Sequence, residues 1–553
     1  MKLFSITALC ASLTYVSLQA LLPQEMLQNM TLEQKIGQLM VVAAVSDPEV
    51  NAQFMQEQPY TMDQEHVTKC ITDYHVGGII FLGAGKAEKQ FEVTKKFQEC
   101  AQTPLLICMD FEWGLTMRLK DGLRFARNMA LGALAPEDDS LIYQMGYEVG
   151  LQCKALGVHM NLAPVVDVNN NPKNPIINDR SFGQDKEQVA RKAMLYMQGL
   201  HDAGIIACAK HFPGHGDTDM DSHYDLPRIA HSRDRLNDIE LYPFKQMIAG
   251  GVQAIMTAHL EVPAFDATPH LPSSLSHNAV TKILREELGF EGVIITDGLG
   301  MVGVTKHHAL GQLEIKALLA GNDILLCPVD VPQAVAAIKQ AVLDGRLSYK
   351  DLDKKVLKML TLKAWAHVAD APQCFDQQKL FTPAAQRLKQ QLYAHAVTIA
   401  RDAQNLVPTI GRANQTIGLI EIGPDGQPCE FATILKADLG VQTFHLACTA
   451  DEDAVQEVVS QVQSHDVVIV GLLGMNRSAK QNFGICPSTR DLVKKLKQMG
   501  KKTVVVVFGN AYSLPLMDDA SAVVVAYEDD PDAQKAAALA LMGKIQARGK
   551  LPV

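Results

Sequence analysis

Beyond its first twenty residues the chain has no apolar run long enough to cross a bilayer, no CxxC pair and no GxGxxG fingerprint. It also has no extended Lys/Arg run, no internal repeat and no low-complexity tract. Each absence removes a class. With 51 Lys and Arg against 61 Asp and Glu, the formal charge is −10, which argues against nucleic acid as a partner. The nearest approaches to a dinucleotide loop, "GLLG" (471–474) and "FGN" (508–510), lack the glycine spacing that a pyrophosphate needs. The eleven cysteines are scattered. Cys108, Cys208 and Cys327 fall inside apolar runs, where a small buried thiol is the common case. One or two disulfides elsewhere stay open, and the odd count leaves one thiol unpaired unless Cys10 is removed.

The first twenty residues, "MKLFSITALCASLTYVSLQA", place Lys2 before an apolar run over 3–18, with Ala20 as the small residue before a cut. That is the form of a secretory signal peptide over 1–20, and it predicts an exported protein, periplasmic or extracellular. The alternative is an N-terminal membrane anchor, since the run approaches spanning length. Leu9 precedes Cys10 where a lipoprotein signal wants a small residue, which argues against lipidation.

What the chain does have is a series of short runs rich in Ile, Val and Leu, the pattern of strands buried on both faces. Eight come first: 35–43, 76–82, 104–110, 158–167, 205–212, 253–259, 292–297 and 322–328. Segments with helical spacing, such as 140–157 and 186–204, lie between most of them. The series predicts a (β/α)8 barrel over 21–370. Asp110, Lys210 with His211, His259 and Asp297 all stand at the C-terminal ends of their runs, where barrel active sites are built. The texture then changes. Residues 371–400 read as a linker followed by a helix. Runs at 416–423, 443–448, 466–474, 503–510 and 522–527 predict a smaller α/β domain over 401–553 with an open, mostly parallel sheet.

The densest chemistry is "KHFPGHGDTDMDSHYDLP" (210–227), with three histidines, four aspartates and a lysine in one irregular stretch. Two readings follow from the residues. His211 and His215 have the i, i+4 spacing of metal ligands on a helix, with His223 or Asp217 as a third. Pro213, Gly214 and Gly216 make that helix improbable. Alternatively Asp221 and His223 form an acid/base pair, the carboxylate fixing one imidazole nitrogen while the other moves a proton near neutrality. An Asp-x-His in a loop is more often a local hydrogen-bond cap.

The stretch closely resembles the family-3 glycoside hydrolases, in the branch of β-N-acetylglucosaminidases, whose K-H-F-P-G-H-G-D-T...D-S-H motif it matches at nearly every defined position. The resemblance extends to "DFEWGLTMR" (110–118), "NLAPVVDVNNNPKNPIINDRSFG" (161–183), "IMTAHLEVPA" (255–264) and "GVIITDGLGM" (292–301), and so runs through most of the barrel. It implies that Asp297 is the nucleophile of a covalent glycosyl-enzyme and that His223, oriented by Asp221, is the acid and then the base. It implies that Asp110, Arg118, Arg180, Lys210 and His211 hold the hydroxyls and acetamido group of the terminal sugar. Two displacements at one carbon retain the β-configuration. No metal and no cofactor are implied. The chain departs from the family's D-x-E-G-G-R-V pattern at Trp113, Leu115 and Thr116. Trp113 would stack on a sugar or sit in the core, Glu112 would support its neighbours rather than catalyse, and His259 and Asp167 would serve structural hydrogen bonding.

The expected function is that of a retaining exo-β-N-acetylglucosaminidase releasing terminal N-acetylglucosamine from a small carbohydrate or muropeptide substrate, without stable membrane insertion once the signal is cut. The alternatives are a β-glucosidase or relaxed β-glycosidase of the same family, or a cell-wall sugar-binding protein that has lost turnover. The presence of Asp297, Asp221 and His223 favours the enzyme.

Overall fold

A computed structural model describes residues 22–218, 226–370, 372–411, 415–423 and 429–553. The expected signal peptide, and with it Asp221 and His223, lies outside the described residues.

Eight strands form the first sheet: β1 (Met40–Ala44), β2 (Gly78–Phe81), β3 (Leu106–Met109), β4 (Met160–Asn161), β5 (Ile206–Phe212), β6 (Ala254–Thr257), β7 (Val293–Thr296) and β8 (Leu325–Leu326). All neighbours pair in parallel in the order β7-β6-β5-β4-β3-β2-β1-β8, and one parallel bridge, Ile295 to Ile324, brings β7 and β8 together. This is the expected (β/α)8 barrel. Side chains alternate across its wall. Val41, Ala43, Leu106, Cys108, Met160, Leu162, Ile206, Cys208, Ala254, Met256, Val293 and Ile295 fill the interior, while Met40, Val42, Ile107, Met109, Ala207, Ile255 and Ile294 face the helices. The period of two is what a strand imposes.

The first run, at 35–43, is only half strand. Leu32–Gln38 is a helix, because Thr31 and Gln34 form a capping box: Thr31 Oγ1 accepts from Gln34 N at 3.3 Å and Gln34 Oε1 from Thr31 N at 2.8 Å. The runs at 158–167 and 322–328 contribute strands of two residues each.

The second domain carries β9 (Thr398–Asp402), β10 (Ile417–Ile422), β11 (Gln442–Leu446), β12 (Val467–Leu472), β13 (Lys502–Val507) and β14 (Ala522–Val525). Their order is β11-β10-β12-β13-β14-β9, parallel except for β9, which pairs antiparallel with β14. The β9 strand was not anticipated, since it follows the helix Pro383–Ala396 after a single residue. The segment between the domains is packed: Leu388, Leu392 and Tyr393 are buried, and the Leu380 carbonyl accepts from Gln152 Nε2 at 3.2 Å.

The two domains are stitched together beside the barrel mouth. Tyr512 Oη donates to the Asn169 carbonyl at 2.6 Å and accepts from Asn169 Nδ2 at 2.8 Å. Arg124 pairs with Glu528, and the Arg127 amide donates to the same carboxylate at 2.6 Å. Further along, Lys550 N donates to the Ala133 carbonyl at 2.8 Å and Gln184 N to the Pro552 carbonyl at 2.9 Å.

Candidate active site

The inward register of the strands leads directly to the site. Leu106 and Cys108 point into the barrel and Asp110 continues the alternation; so do Ile206, Cys208 and Lys210, and Val293, Ile295 and Asp297. These groups floor a cavity of about 440 Å³ at the C-terminal ends of the strands. His211 lines it from the end of β5, and Arg118, Arg180, His215, Trp113 and Tyr60 line it from outside the strands. Six of the eight expected site residues therefore meet in one cavity. Asp221 and His223 lie outside the described residues.

Charge on the barrel side of the cavity is tightly paired. Lys210 Nζ lies between Asp110 Oδ1 at 2.8 Å and Glu112 Oε1 at 2.9 Å. Arg118 takes the other Asp110 oxygen. Arg180 grips Glu112 with two bonds, Nε to Oε2 at 2.9 Å and Nη2 to Oε1 at 2.7 Å. Burial by itself would raise the Asp110 pKa, but Lys210 and Arg118 outweigh it and hold the carboxyl well below the usual carboxylate range. The same opposition, with Arg180 and Lys210 as the winning cations, keeps Glu112 ionised. Burial works against the Lys210 ammonium, and Asp110 and Glu112 overcome it. Glu112 is thus a support for Arg180 and Lys210, as expected, with almost no surface of its own in the cavity.

His211 Nδ1 lies 2.7 Å from Asp167 Oδ2, and its Nε2 lies 3.4 Å from Arg180 Nη2. A guanidinium only donates, so Nε2 is the acceptor and the Nδ1 proton goes to Asp167. Asp167 Oδ1 also accepts the His215 amide at 2.7 Å. The His215 ring meets Thr218 Oγ1 at 2.9 Å and, through burial and the neighbouring His211, has its pKa pushed down to about 4. His211 and His215 are each tied to a non-metal partner. Among the described residues no group of three His, Cys, Asp or Glu is arranged to hold a metal.

Gly216, in the 210–227 stretch, lets two loops touch. A Cβ on Gly216 would stand 1.9 Å from the Val168 carbonyl oxygen. Asn174, from the loop after β4, donates Nδ2 to the His215 carbonyl at 2.8 Å and to the Gly216 carbonyl at 3.0 Å. On the facing side, Asp297 Oδ1 accepts from Gly298 N at 2.8 Å. Tyr60 Oη accepts from Gly300 N at 3.1 Å, and a Cβ on Gly300 would meet the Tyr60 ring at 2.3 Å. His259 is held between Ser274 Oγ and the Gly298 carbonyl, a structural role for the backbone beside Asp297. Trp113 lines the cavity, with the Arg127 guanidinium 4.1 Å above its ring. Tyr60 and Arg477 also line it and carry no motif that pointed to them.

The glycosyl hydrolase family 3 N-terminal domain matches residues 31–362, and the C-terminal domain of the same family matches 302–553. The chain belongs to glycosyl hydrolase family 3. It is accordingly a glycoside hydrolase, with the barrel and α/β domain of the family. Among its relatives is a beta-hexosaminidase A of Pseudoalteromonas piscicida, 29% identical over 88% of this chain and 90% of that protein. A beta-N-acetylglucosaminidase/beta-glucosidase of Cellulomonas fimi is 29% identical over 55% of each. A family-3 beta-N-acetylglucosaminidase structure from Paenibacillus sp. str. FPU-7 aligns over 95% of this chain and 98% of its own, with 31% identity and a TM-score of 0.78.

Proposed function

We propose that this family-3 hydrolase is a retaining exo-β-N-acetylglucosaminidase that removes terminal N-acetylglucosamine from peptidoglycan fragments. The observation that carries the reading is the cavity floor, where Asp297 lies with a fixed set of charges, Asp110, Lys210 and Arg118. The names of the relatives favour an N-acetylhexosaminide as substrate.

In this reading the terminal sugar lies on the floor. Asp110 accepts from its hydroxyls while Lys210, Arg118 and Arg180 donate. Asp297 attacks the anomeric carbon with one carboxylate oxygen while Gly298 N–H steadies the carboxylate. The glycosidic bond breaks, and the leaving oxygen takes a proton from His223, whose ring Asp221 orients. The products of this step are the free aglycone and an α-glycosyl ester of Asp297. His223, now neutral, removes a proton from water as it attacks the same carbon. The ester bond breaks, Asp297 is restored, and the sugar leaves with its β-configuration. An imidazole in place of the usual carboxylate acid does not repel an anionic aglycone, and N-acetylmuramic acid carries a carboxylate.

Export fits the N-terminal sequence and the one disulfide among the described residues, Cys448–Cys486, a bond suited to an oxidising compartment. The other eight described cysteines are free. No helix among the described residues is long and apolar enough to cross a membrane.

The test is turnover of a chromogenic N-acetylglucosaminide beside the matching glucoside, with the anomer of the first product followed by NMR. Preference for the N-acetyl substrate and initial release of the β-anomer are expected. An α-anomer first would overturn retention. Preference for the glucoside would favour the broader β-glycosidase reading that the Cellulomonas fimi relative's double name suggests.

A further inference from the structure

The seam between the domains adds one cation to the cavity that the barrel does not supply. Arg477, in the 473–486 segment after β12, lines the cavity beside Trp113, Ile176 and Arg180. The segment is held at two points. Asn178 Nδ2 donates to the Arg477 carbonyl at 3.3 Å, and the Cys448–Cys486 disulfide ties the far end to the turn that follows β11.

The backbone is pinned, and the guanidinium makes one ion pair among the described residues. Its ion-pair partner is Asp179, a carboxylate it shares with Arg127, whose Nη1 lies 3.2 Å away. Arg477 Nη2 meets one Asp179 oxygen and Arg127 takes the other, so this one carboxylate serves two guanidinium groups. Arg127 turns its remaining side toward Glu528, which Arg124 already engages. Three arginines along the seam therefore face two carboxylates. The Arg477 side chain keeps 42% of its surface open, and a guanidinium carries five N–H donors in a fork that matches a carboxylate.

We propose that Arg477 is a specificity-determining residue that binds a carboxylate on the departing sugar, so that aglycones of the N-acetylmuramic acid type are preferred over neutral ones. The proposal rests on the peptidoglycan reading of the cavity. Its place in the cavity argues for the leaving group rather than the terminal sugar. Asp110, Lys210 and Asp297 continue the inward strand register and form the closed end. Arg477 arrives from the other domain and touches the 178–179 loop at the rim. An exo-acting pocket holds the terminal sugar at its closed end and lets the rest of the substrate pass through the rim. A ligand carboxylate there supplies the anion that the three arginines lack.

The experiment compares N-acetylglucosaminyl-β-1,4-N-acetylmuramic acid with its methyl ester, which has nearly the same shape and no charge, using the full-length protein and its R477A and R477K variants. The readout is the ratio of kcat/KM for acid over ester, with chitobiose cleavage and thermal unfolding measured alongside. The wild-type ratio is expected to exceed one clearly. It should fall about tenfold in R477A, mainly through KM, and partly in R477K, which keeps the charge and loses the fork. A wild-type ratio near one, or a ratio unchanged in both variants, overturns the role of Arg477 while leaving the peptidoglycan reading in place. Cleavage of chitobiose with neither muramic substrate turned over overturns that reading, and the proposal with it.

Discussion

On the barrel side of the cavity, Lys210 lies between two carboxylates, each of which is also held by an arginine. On the seam side, Arg477 shares a single carboxylate, Asp179, with a second arginine, Arg127. The first wall is finished before substrate arrives; the second is completed by it. A saturated lattice gives fixed geometry, which the bond-breaking step requires. An unsaturated rim gives selectivity for what is bound there.

The largest effect should come from the floor. Asp297→Ala, with no group to replace the covalent step, is expected to lose about 10⁴-fold or more in kcat while its thermal unfolding stays near wild type. Near-normal turnover by a folded variant would remove Asp297 from the mechanism. His223→Ala should lose ~10²–10⁴-fold on sugar aglycones and much less on dinitrophenyl N-acetylglucosaminide, which departs without a proton. A burst of phenol and a β-glycosyl azide on adding azide are expected. Equal losses on all leaving groups would reduce His223 to positioning substrate.

Lys210→Met tests whether the barrel wall is a lattice. It leaves two buried carboxylates facing each other and should cost about 3–5 kcal/mol in denaturant unfolding. The sign with pH follows from the depressed pKa values of Asp110 and Glu112. Their contribution is complete above about pH 4, the unfolded carboxylate range, and is lost as pH falls through the lower folded values. In the variant that depression shrinks, so acid unfolding should move to higher pH. An unchanged acid midpoint would mean the lattice is not what holds the floor.

The double variant C448S/C486S tests the seam. The bridge closes a separation of 38 residues and should contribute about 2–4 kcal/mol, seen as a lower unfolding midpoint, while the acid-over-ester ratio drops with the freed Arg477. Smallest of all, EDTA should leave activity unchanged. Inactivation with rescue by zinc would bring back the metal reading of the histidines.

The floor was legible in the sequence because it is local. Leu106-Cys108-Asp110 and Val293-Ile295-Asp297 spell an inward-facing alternation whose last member is polar, and the run needs no partner to be read. The helix Leu32–Gln38 was misread as part of the run at 35–43, because the apolar residues after it look like strand; the signal passed over was the "TLEQ" capping box. Arg477 and Tyr60 were not legible. Each reaches the cavity through contacts made hundreds of residues away in sequence, Arg477 with Asn178 and Asp179, Tyr60 with Gly298 and Gly300. No period or spacing in their own neighbourhoods encodes such docking. The β9 strand was hidden likewise, since an edge strand borrowed by a distant sheet needs only a few suitable residues.

The docking of 549–552 onto the barrel has a consequence in time. Gln184, four residues past Arg180, takes its backbone partner from Pro552, and Ala133 from Lys550. At a synthesis rate of roughly 5–20 residues per second, the loop that bears Arg180 waits on the order of tens of seconds for that partner to be made. A nascent barrel thus emerges with one side of its mouth unfastened. Residues 549–552 act as a latch on that side of the mouth.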